Sequence, residues 1–244
     1  MRRSRHYHPH SREVDPFGEV NVTLLQEMSE TDIIAAEEAP AEITPIVGGF
    51  EPTAQDIDIP RLNVVQSVSQ IEAPHGSVVL DKRHVLTELD CPITAIPVSG
   101  VKGFREDKPF GVGEMARSVY TEEDLALLKA DTEYPLIEFA NVTLMFPEPE
   151  DVKGGGAFPF KIGKTKYAIG TMNVAKVAYK NTYKRLITHM STRVDEPYYG
   201  VFWELTPVKI EGKVTYFAPS LTVQDTEDTV PKEVVKFIEN FRKG

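Results

Sequence analysis

Hydrophobic and polar positions alternate in short runs along most of the chain after residue 58, and this alternation is typical of β-strands. Two such runs, YYGVFWELTPV and KVTYFAPSL, are separated by a short connection and predict an antiparallel hairpin. A second hairpin, with a two-residue turn, is predicted within IGKTKYAIG. Further strands are predicted in RLNVVQSVSQI, HGSVVLD, HVLTEL, PITAIPVSGV and LIEFANVTLMF. We therefore expect a mostly-β chain, built as a small antiparallel sheet or barrel.

Three other segments repeat their apolar residues at intervals of three and four, which predicts helices. The first, 121–130, begins with a capping Thr121, has Asp124 three residues further on, and carries acids in its first turn. The second and longest is predicted at 173–190. The third lies in PKEVVKFIENFRKG and places an apolar stripe on one side. With these few helices the expected fold class is α+β.

The chain before residue 59 lacks this periodicity, apart from a short helix-like run, TDIIAAEEA. It is rich in Glu, Ala, Pro, Thr and Ser, and such a composition buries too little apolar surface to fold alone. We predict a disordered or loosely docked extension at 1–58, a β-barrel-like domain with inserted helices at 59–223, and a C-terminal amphipathic helix at 224–244. The helix is expected to dock on the barrel or on another subunit, so a homo-oligomer is one of two outcomes.

The sequence is typical of a cytoplasmic protein. No apolar run approaches the roughly 20 residues that cross a bilayer, so no membrane partner is predicted. No apolar segment follows the basic start MRRSRHYHPHSR, so no secretory signal is expected. The one cysteine, Cys91, lies in the apolar run LDCPITAIPV and is predicted to be a reduced, buried thiol.

The net charge of -10 is unevenly distributed. Residues 13–60 carry twelve acids and no Lys or Arg, whereas residues 161–220 carry ten basic and four acidic residues. A polyanionic partner is therefore compatible with the local charge of the second stretch. The acidic block has two interpretations. It is either a solubilising linker or a tethered competitor that lies over the basic surface until an anionic ligand displaces it.

The basic stretch supplies the candidate binding residues. Within the predicted helix Lys176, Lys180 and Lys184 fall on one line, and no acid at helical spacing neutralises them. An exposed solubilising face is the alternative. Aromatic side chains on the nearby strands add flat surfaces on which unpaired bases stack. The predicted nucleic-acid contacts are Lys176, Tyr179, Lys180, Tyr183, Lys184, Arg185, Phe202, Trp203, Lys209, Lys213 and Phe217.

Trp203 has a second interpretation. Alternation places it on the same side of its strand as Val201 and Leu205, and this fully apolar side is expected to face the core. Phe202 lies on the opposite side, together with Glu204. A packing role for Trp203 therefore competes with a stacking role.

No spacing in the sequence indicates a reaction. Gly163, Lys164 and Thr165 end like a phosphate-binding loop, but Phe158 stands where that loop needs its first glycine. The histidines at 6, 8 and 10 have a spacing that suits a metal ion, or they belong to a solvated tail. We therefore predict a protein that is not an enzyme and has no cofactor and no metal site.

The order of these elements resembles a group of tailed-bacteriophage proteins thought to bind single-stranded DNA through an OB-like barrel. The similarity rests on PRLNVVQSVSQIEAPHGSVVLD, VYTEEDLALL, NVAKVAYKNTYKRLITHM and FWELTPVKIEGKVTYFAPSLTV. It implies a sequence-independent single-stranded DNA-binding protein of replication or recombination in the host cell cytoplasm, with phage replication proteins as partners. The chain departs from the pattern at its C terminus, where PKEVVKFIENFRKG stands in place of a long acidic tail.

A virion or assembly protein is the second functional hypothesis. The long unpatterned N-terminal stretch suits an arm that wraps a neighbouring subunit, and abundant β-structure is common to both kinds of protein. A basic groove favours the DNA-binding hypothesis, whereas presence in purified particles favours the assembly hypothesis.

Overall fold

The computed structural model describes residues 58–109, 111–149, 156–193, 197–212 and 214–243. Within these ranges the strands are β1 (Leu62–Val64), β2 (Val78–Leu80), β3 (His84–Thr87), β4 (Ile93–Glu106), β5 (Ser118–Val119), β6 (Leu136–Pro147), β7 (Phe160–Ile162), β8 (Thr165–Ala175), β9 (Trp203–Ile210) and β10 (Tyr216–Val223). The helices of the same ranges are α1 (Glu122–Asp131), α2 (Lys176–Asn181), α3 (Tyr183–Thr192) and α4 (Lys232–Phe241). Residues 1–57 of the extension predicted at 1–58, with its histidines and nearly all of its acidic block, lie outside the described residues.

The strands form two antiparallel sheets, and the fold is mostly antiparallel β with added helices, which confirms the predicted α+β class. β1, β2 and β3 form the smaller sheet in that order. The larger sheet has the order β10-β9-β4-β6-β8-β7, and β5 pairs with β4 beside this path. β4 joins its two halves, because residues 93–95 pair with β9 and residues 96–106 pair with β6.

The predicted OB-like barrel is not confirmed, because the sheets of the described residues do not close. β7 and β10 stand at opposite ends of the larger sheet. Side chains occupy the outer edge of β10: the amide of Gln66 bonds both the N–H and the C=O of Phe217, and Arg185 donates to the carbonyl of Leu221. Between them Pro219 has no N–H to offer a partner strand. The edge that closure would need is therefore already used.

Both faces of the larger sheet are packed. One face lies against α2, α3 and residues of the smaller sheet, around a core that contains Trp203 and Leu205. The other face lies against α4, whose Val234 and Ile238 are fully buried. The C-terminal helix therefore docks on its own chain, which is the first of the two predicted outcomes.

The capping of α1 is confirmed. The hydroxyl of Thr121 accepts a hydrogen bond from the backbone N–H of Asp124 at 3.1 Å and donates to the Asp124 carboxylate at 2.7 Å. Leu125 and Leu128 are buried, but Leu127 is 70% exposed, so the apolar side of α1 is narrower than predicted.

The helix predicted at 173–190 is wrong at its start and in its middle. β8 continues to Ala175, and the backbone turns at Lys176, which has a φ of 54°. A second break falls at the buried Thr182, whose hydroxyl donates to the carbonyl of Ala178 at 2.6 Å. The spacing Val174, Val177 and Ala178 suits a helix, but pairing with β6 holds Asn173 to Ala175 extended. The lysines at 176, 180 and 184 therefore do not share one continuous helix.

Both predicted hairpins are confirmed. β7 and β8 meet at Ile162 and Thr165, and Gly163 in the turn has a φ of 59°, which glycine adopts at little cost. β9 and β10 pair over their full length, from Trp203 opposite Val223 to Ile210 opposite Tyr216. The buried thiol predicted for Cys91 is wrong, because the residue is exposed in the turn that leads into β4.

Candidate functional site

The predicted contact residues on α2 and α3 are mostly engaged with the protein itself. Lys176 forms an ion pair with Asp107 at 2.8 Å. Arg185 donates to Ser220 and to the carbonyl of Leu221 at 2.9 Å each, which ties α3 to β10. Lys184 lies 5.9 Å from the centre of the Tyr179 ring, and Lys180 is exposed.

The aromatic members of the prediction are divided among several places. Trp203 is 1% exposed, and its indole N–H donates to the carbonyl of Tyr198 at 2.8 Å. Tyr179 is buried beside Tyr183, and Phe202 packs into the cluster beneath α4. The stacking role predicted for Trp203 is therefore wrong, because the core leaves its ring no surface for a base.

The remaining predicted residues lie at the β9–β10 hairpin. Lys209 forms an ion pair with Glu211 at 2.8 Å. Lys213 lies outside the described residues. Phe217 is half-buried at the edge of β10. The structure therefore does not bring the eleven predicted residues together into one surface.

A groove follows the part of β8 that extends beyond its pairing with β7. Its volume is about 1000 Å³. Three sets of residues form its walls: the segment that enters β1, residues from β10 and α2, and the last residues of β4 with the loop that follows it. Its lining side chains are Ile59, Arg61, Leu62, Asn63, Val64, Gln66, Arg105, Met115, Ser118, Tyr120, Asn141, Thr171, Met172, Asn173, Val174, Ala178, Phe217 and Pro219.

The charge of this lining differs from that of the whole chain. Arg61 and Arg105 are its charged side chains, and among the described residues that line it there is no Asp or Glu. Four amides, from Asn63, Gln66, Asn141 and Asn173, add polar groups, and the last three are hydrogen-bonded within the protein. In a chain of net charge -10, such a lining is a local region of positive charge.

Two aromatic side chains face this groove. Tyr120 is 51% exposed, and Phe217 is half-buried. The Tyr120 ring also packs edge-on against Phe139, with their centres 5.5 Å apart. These rings therefore offer apolar area next to the two arginines, the combination with which proteins hold unpaired bases.

A chain of hydrogen bonds in the groove runs from β4 through β8 and β6 to the residue that follows β5. Arg105 donates to the Oδ1 of Asn173 at 2.9 Å. The Nδ2 of Asn173 donates to the Oδ1 of Asn141 at 2.8 Å, and the Nδ2 of Asn141 donates to the hydroxyl oxygen of Tyr120 at 3.0 Å. We call these four residues the relay.

The buried Phe139 supports the relay from below. The Arg105 guanidinium lies 5.7 Å from the centre of the Phe139 ring, and Tyr120 packs against the same ring. The ring lies over Gly103, where an added Cβ would come within 2.7 Å of it. The glycine in β4 therefore makes room for the aromatic floor on which the relay rests.

A buried carboxylate fastens the loop between β4 and β5, which carries Met115 into the groove. Glu106 accepts hydrogen bonds from the guanidinium and the backbone N–H of Arg117 at 2.8 to 3.0 Å, and from the hydroxyl of Thr132 at 2.7 Å. Lys108 lies 3.4 Å from the same carboxylate, and Arg117 also bonds Asp131.

These partners fix the ionisation of Glu106. The hydrogen bonds from Arg117 and Thr132 lower the pKa of Glu106 from 4.5 to about 2. A carboxylate with so low a pKa and so many donors stays ionised at neutral pH, so it suits a structural anchor and not a general acid.

Among the described residues, no three His, Cys, Asp or Glu side chains lie close enough to hold a metal ion together. No helix in the described part of the chain is long and apolar enough to span a bilayer. The histidines at 6, 8 and 10 lie outside the described residues.

Of the described residues that line the groove, sequence reasoning named Phe217 and missed the others. Asn141 and Asn173 are polar positions on strands that are otherwise largely apolar, and they pair directly across β6 and β8. That local signal was available, but Arg105 and Tyr120 reach the same place from distant parts of the sequence.

The described chain is thus an α+β protein with an acid-free groove along a sheet edge. Comparison with protein-family models found no match, and neither the curated proteins nor the solved structures gave a similar protein.

Proposed function

We propose that this protein is a non-enzymatic protein that binds single-stranded DNA, without sequence preference, in the groove along β8. The observation that carries the proposal is the lining of that groove, whose described residues include two arginines, four amides and two aromatic rings and no carboxylate. Phosphates supply the anionic partner that the arginines need, and unpaired bases supply the flat partner that the rings need.

The shape of the groove also favours a single strand. It lies beside a sheet edge, and the rings of Tyr120 and Phe217 line it. Bases that are already stacked in a duplex cannot reach such rings without unpairing, so the rings act on unpaired strands. Phosphates and base faces are common to all nucleotides, so arginines that bind phosphates and rings that stack on bases need no particular sequence.

The biological setting follows from the resemblance and is part of the same proposal. A protein of this kind would coat replication or recombination intermediates in the cytoplasm of an infected host cell, beside other phage replication proteins.

The proposal is tested by anisotropy of a fluorescent poly-dT oligonucleotide titrated with the full chain at low and high salt. Binding that weakens with salt and is stronger for the single strand than for a duplex competitor is expected. Arg61→Ala should lower the salt slope by about 0.7, the share of one phosphate contact on a single strand. Lys180→Ala, an exposed lysine outside the groove, is the matched control and should leave the slope unchanged. Equal binding of duplex, or no binding at low salt, would overturn the proposal and leave the assembly hypothesis.

A further inference from the structure

We infer that Tyr120 and Arg105 form a phosphodiester-binding subsite within the groove, and that Asn141 and Asn173 are positioning residues that fix its hydrogen-bonding direction. The inference rests on the proposed function, and it names the part of the DNA that this end of the groove contacts. It follows from the order of donors and acceptors along the relay.

The direction of the relay is fixed at its Arg105 end. A guanidinium only donates, so Asn173 must present its Oδ1 to Arg105. The Nδ2 of Asn173 then faces Asn141, which must present its own Oδ1. The Nδ2 of Asn141 consequently faces Tyr120, whose oxygen accepts. The arginine thereby settles the orientation of both amides.

The consequence appears at the Tyr120 end. A phenolic oxygen that accepts from an amide keeps its own proton for a different partner. Among the described residues no hydrogen-bond acceptor takes that proton, and the side chain is 51% exposed. The hydroxyl of Tyr120 is thus held as a donor towards a ligand in the groove.

The ligand group that suits this end must be an acceptor and an anion. Tyr120 offers an O–H, and Arg105 keeps N–H groups beyond the one that it gives to Asn173. A phosphodiester presents only acceptor oxygens and carries a negative charge. The edge of every base presents donors as well as acceptors, and a donor that faced the Tyr120 proton and the Arg105 N–H groups would stay unpaired.

The site is also fixed in place before a ligand arrives. Tyr120 and Arg105 both pack on the buried ring of Phe139. The two amides between them hold them in place through hydrogen bonds of 2.8 to 3.0 Å. Donors that are already ordered lose little conformational entropy on binding. If the network served only to cover Phe139, removal of the Tyr120 hydroxyl would leave the affinity for DNA unchanged.

The experiment measures the affinity of the full chain for two fluorescent oligonucleotides of equal length, poly-dT and an abasic strand that keeps every phosphate. Tyr120→Phe removes the hydroxyl and keeps the ring. It should weaken binding to both strands by about tenfold, which corresponds to one hydrogen bond to a charged acceptor. The abasic strand should bind more weakly overall, because it cannot stack.

The second part of the experiment reverses the direction of the hydrogen bonds in the relay. In Asn173→Asp both carboxylate oxygens accept, so the amide of Asn141 must turn round and its oxygen must take the proton of Tyr120. Tyr120→Phe should then change the affinity by less than about twofold in the Asn173→Asp background. Asn63→Asp adds the same charge to the groove outside the relay, and in that background the tenfold effect should persist. Asn141→Asp reverses the hydroxyl in the same way and replaces Asn173→Asp if that variant does not fold.

The outcomes separate the two proposals. If the unmodified chain binds neither strand at low salt, the proposed function fails. If it binds both and Tyr120→Phe binds equally well, the proposed function stands and the subsite is wrong. An effect of Tyr120→Phe on poly-dT that disappears on the abasic strand would assign the hydroxyl to a base carbonyl and overturn the phosphate assignment. An undiminished effect in the Asn173→Asp and Asn141→Asp backgrounds would refute the role of the amides.

Discussion

The α2–α3 region and the β8 groove differ in how their cations are neutralised. In the first, Lys176 pairs with Asp107, and Arg185 is bonded to β10. In the second, Arg61 and Arg105 line a groove whose described residues include no carboxylate. The α2–α3 region has the higher density of basic residues in sequence, yet we propose the groove as the anion-binding surface. A charge is useful for binding when no neighbouring side chain in the fold has already paired with it.

The largest expected effect is on stability and comes from Trp203→Ala, because the fold buries this predicted contact residue. Trp203 is buried in the core beneath α3, so its removal should lower the free energy of unfolding by about 3–5 kcal/mol. Lys180→Ala, at an exposed position of α2, should change it by less than about 0.5 kcal/mol. Urea denaturation measures both variants. A Trp203→Ala protein as stable as the unmodified chain would mean that this ring is not a core residue.

The next largest effect concerns the two sets of cations. Replacing Arg61 and Arg105 together by Ala should weaken poly-dT binding more than tenfold at low salt and lower the salt slope by about 1.4. Replacing Lys180 and Lys184 together removes the same charge from the predicted face, and we expect a much smaller loss with little change in slope. Anisotropy titrations over a salt series make the comparison. The reverse ranking would restore the α2–α3 face as the binding surface.

A smaller effect on stability is expected at the outer edge of β10, where a side chain bonds the backbone. The amide of Gln66 makes two hydrogen bonds to the backbone of Phe217, at 2.8 and 2.9 Å. Gln66→Ala should lower the free energy of unfolding by about 1–2 kcal/mol and leave an unpaired backbone position on β10. Gln70→Ala, at an exposed position, is the control. Denaturation measures the loss, and equal stability of the two variants would contradict the assigned contacts.

The last effect, which is full at neutral pH and disappears in acid, concerns Glu106. Because the folded state lowers its pKa from 4.5 to about 2, Glu106 stabilises the fold fully above pH 4.5. That contribution should decrease as the pH falls from 4.5 and be lost below about 2. Denaturation across this window should therefore show a shallower pH dependence for Glu106→Gln than for the unmodified chain. Identical dependence would show that the contacts to Arg117 do not hold the carboxylate ionised.

Local patterns in the sequence predicted much of the fold. The cap of α1, the hairpin turn at Gly163 and the pairing of β9 with β10 depend on residues that are close in the chain. Alternation also identified the buried side of β9. The helix predicted at 173–190 starts too early because Val174 has helical spacing to Val177 and Ala178, and only the pairing of β8 with β6 shows that Val174 belongs to a strand.

The groove could not be predicted in the same way. Its walls come from residues near 61, 105, 120, 141, 173 and 217, which the topology brings together. The contacts that neutralise the predicted cations, such as Asp107 with Lys176, also join distant residues. The larger sheet does not close into a barrel because side chains bond the outer edge of β10. They are those of Gln66, which follows β1, and of Arg185 in α3, and no periodicity in the sequence predicts such bonds.

The most direct test of the account compares hydrogen exchange of the full chain with and without a saturating dT oligonucleotide. Binding in the groove should slow exchange at 115–120 and at 171–174, while the exposed turns of α3 at 187–192 keep their rates. Slower exchange confined to α2 and α3, with residues 115–120 and 171–174 unchanged, would contradict the assignment of the DNA-binding site to the groove along β8.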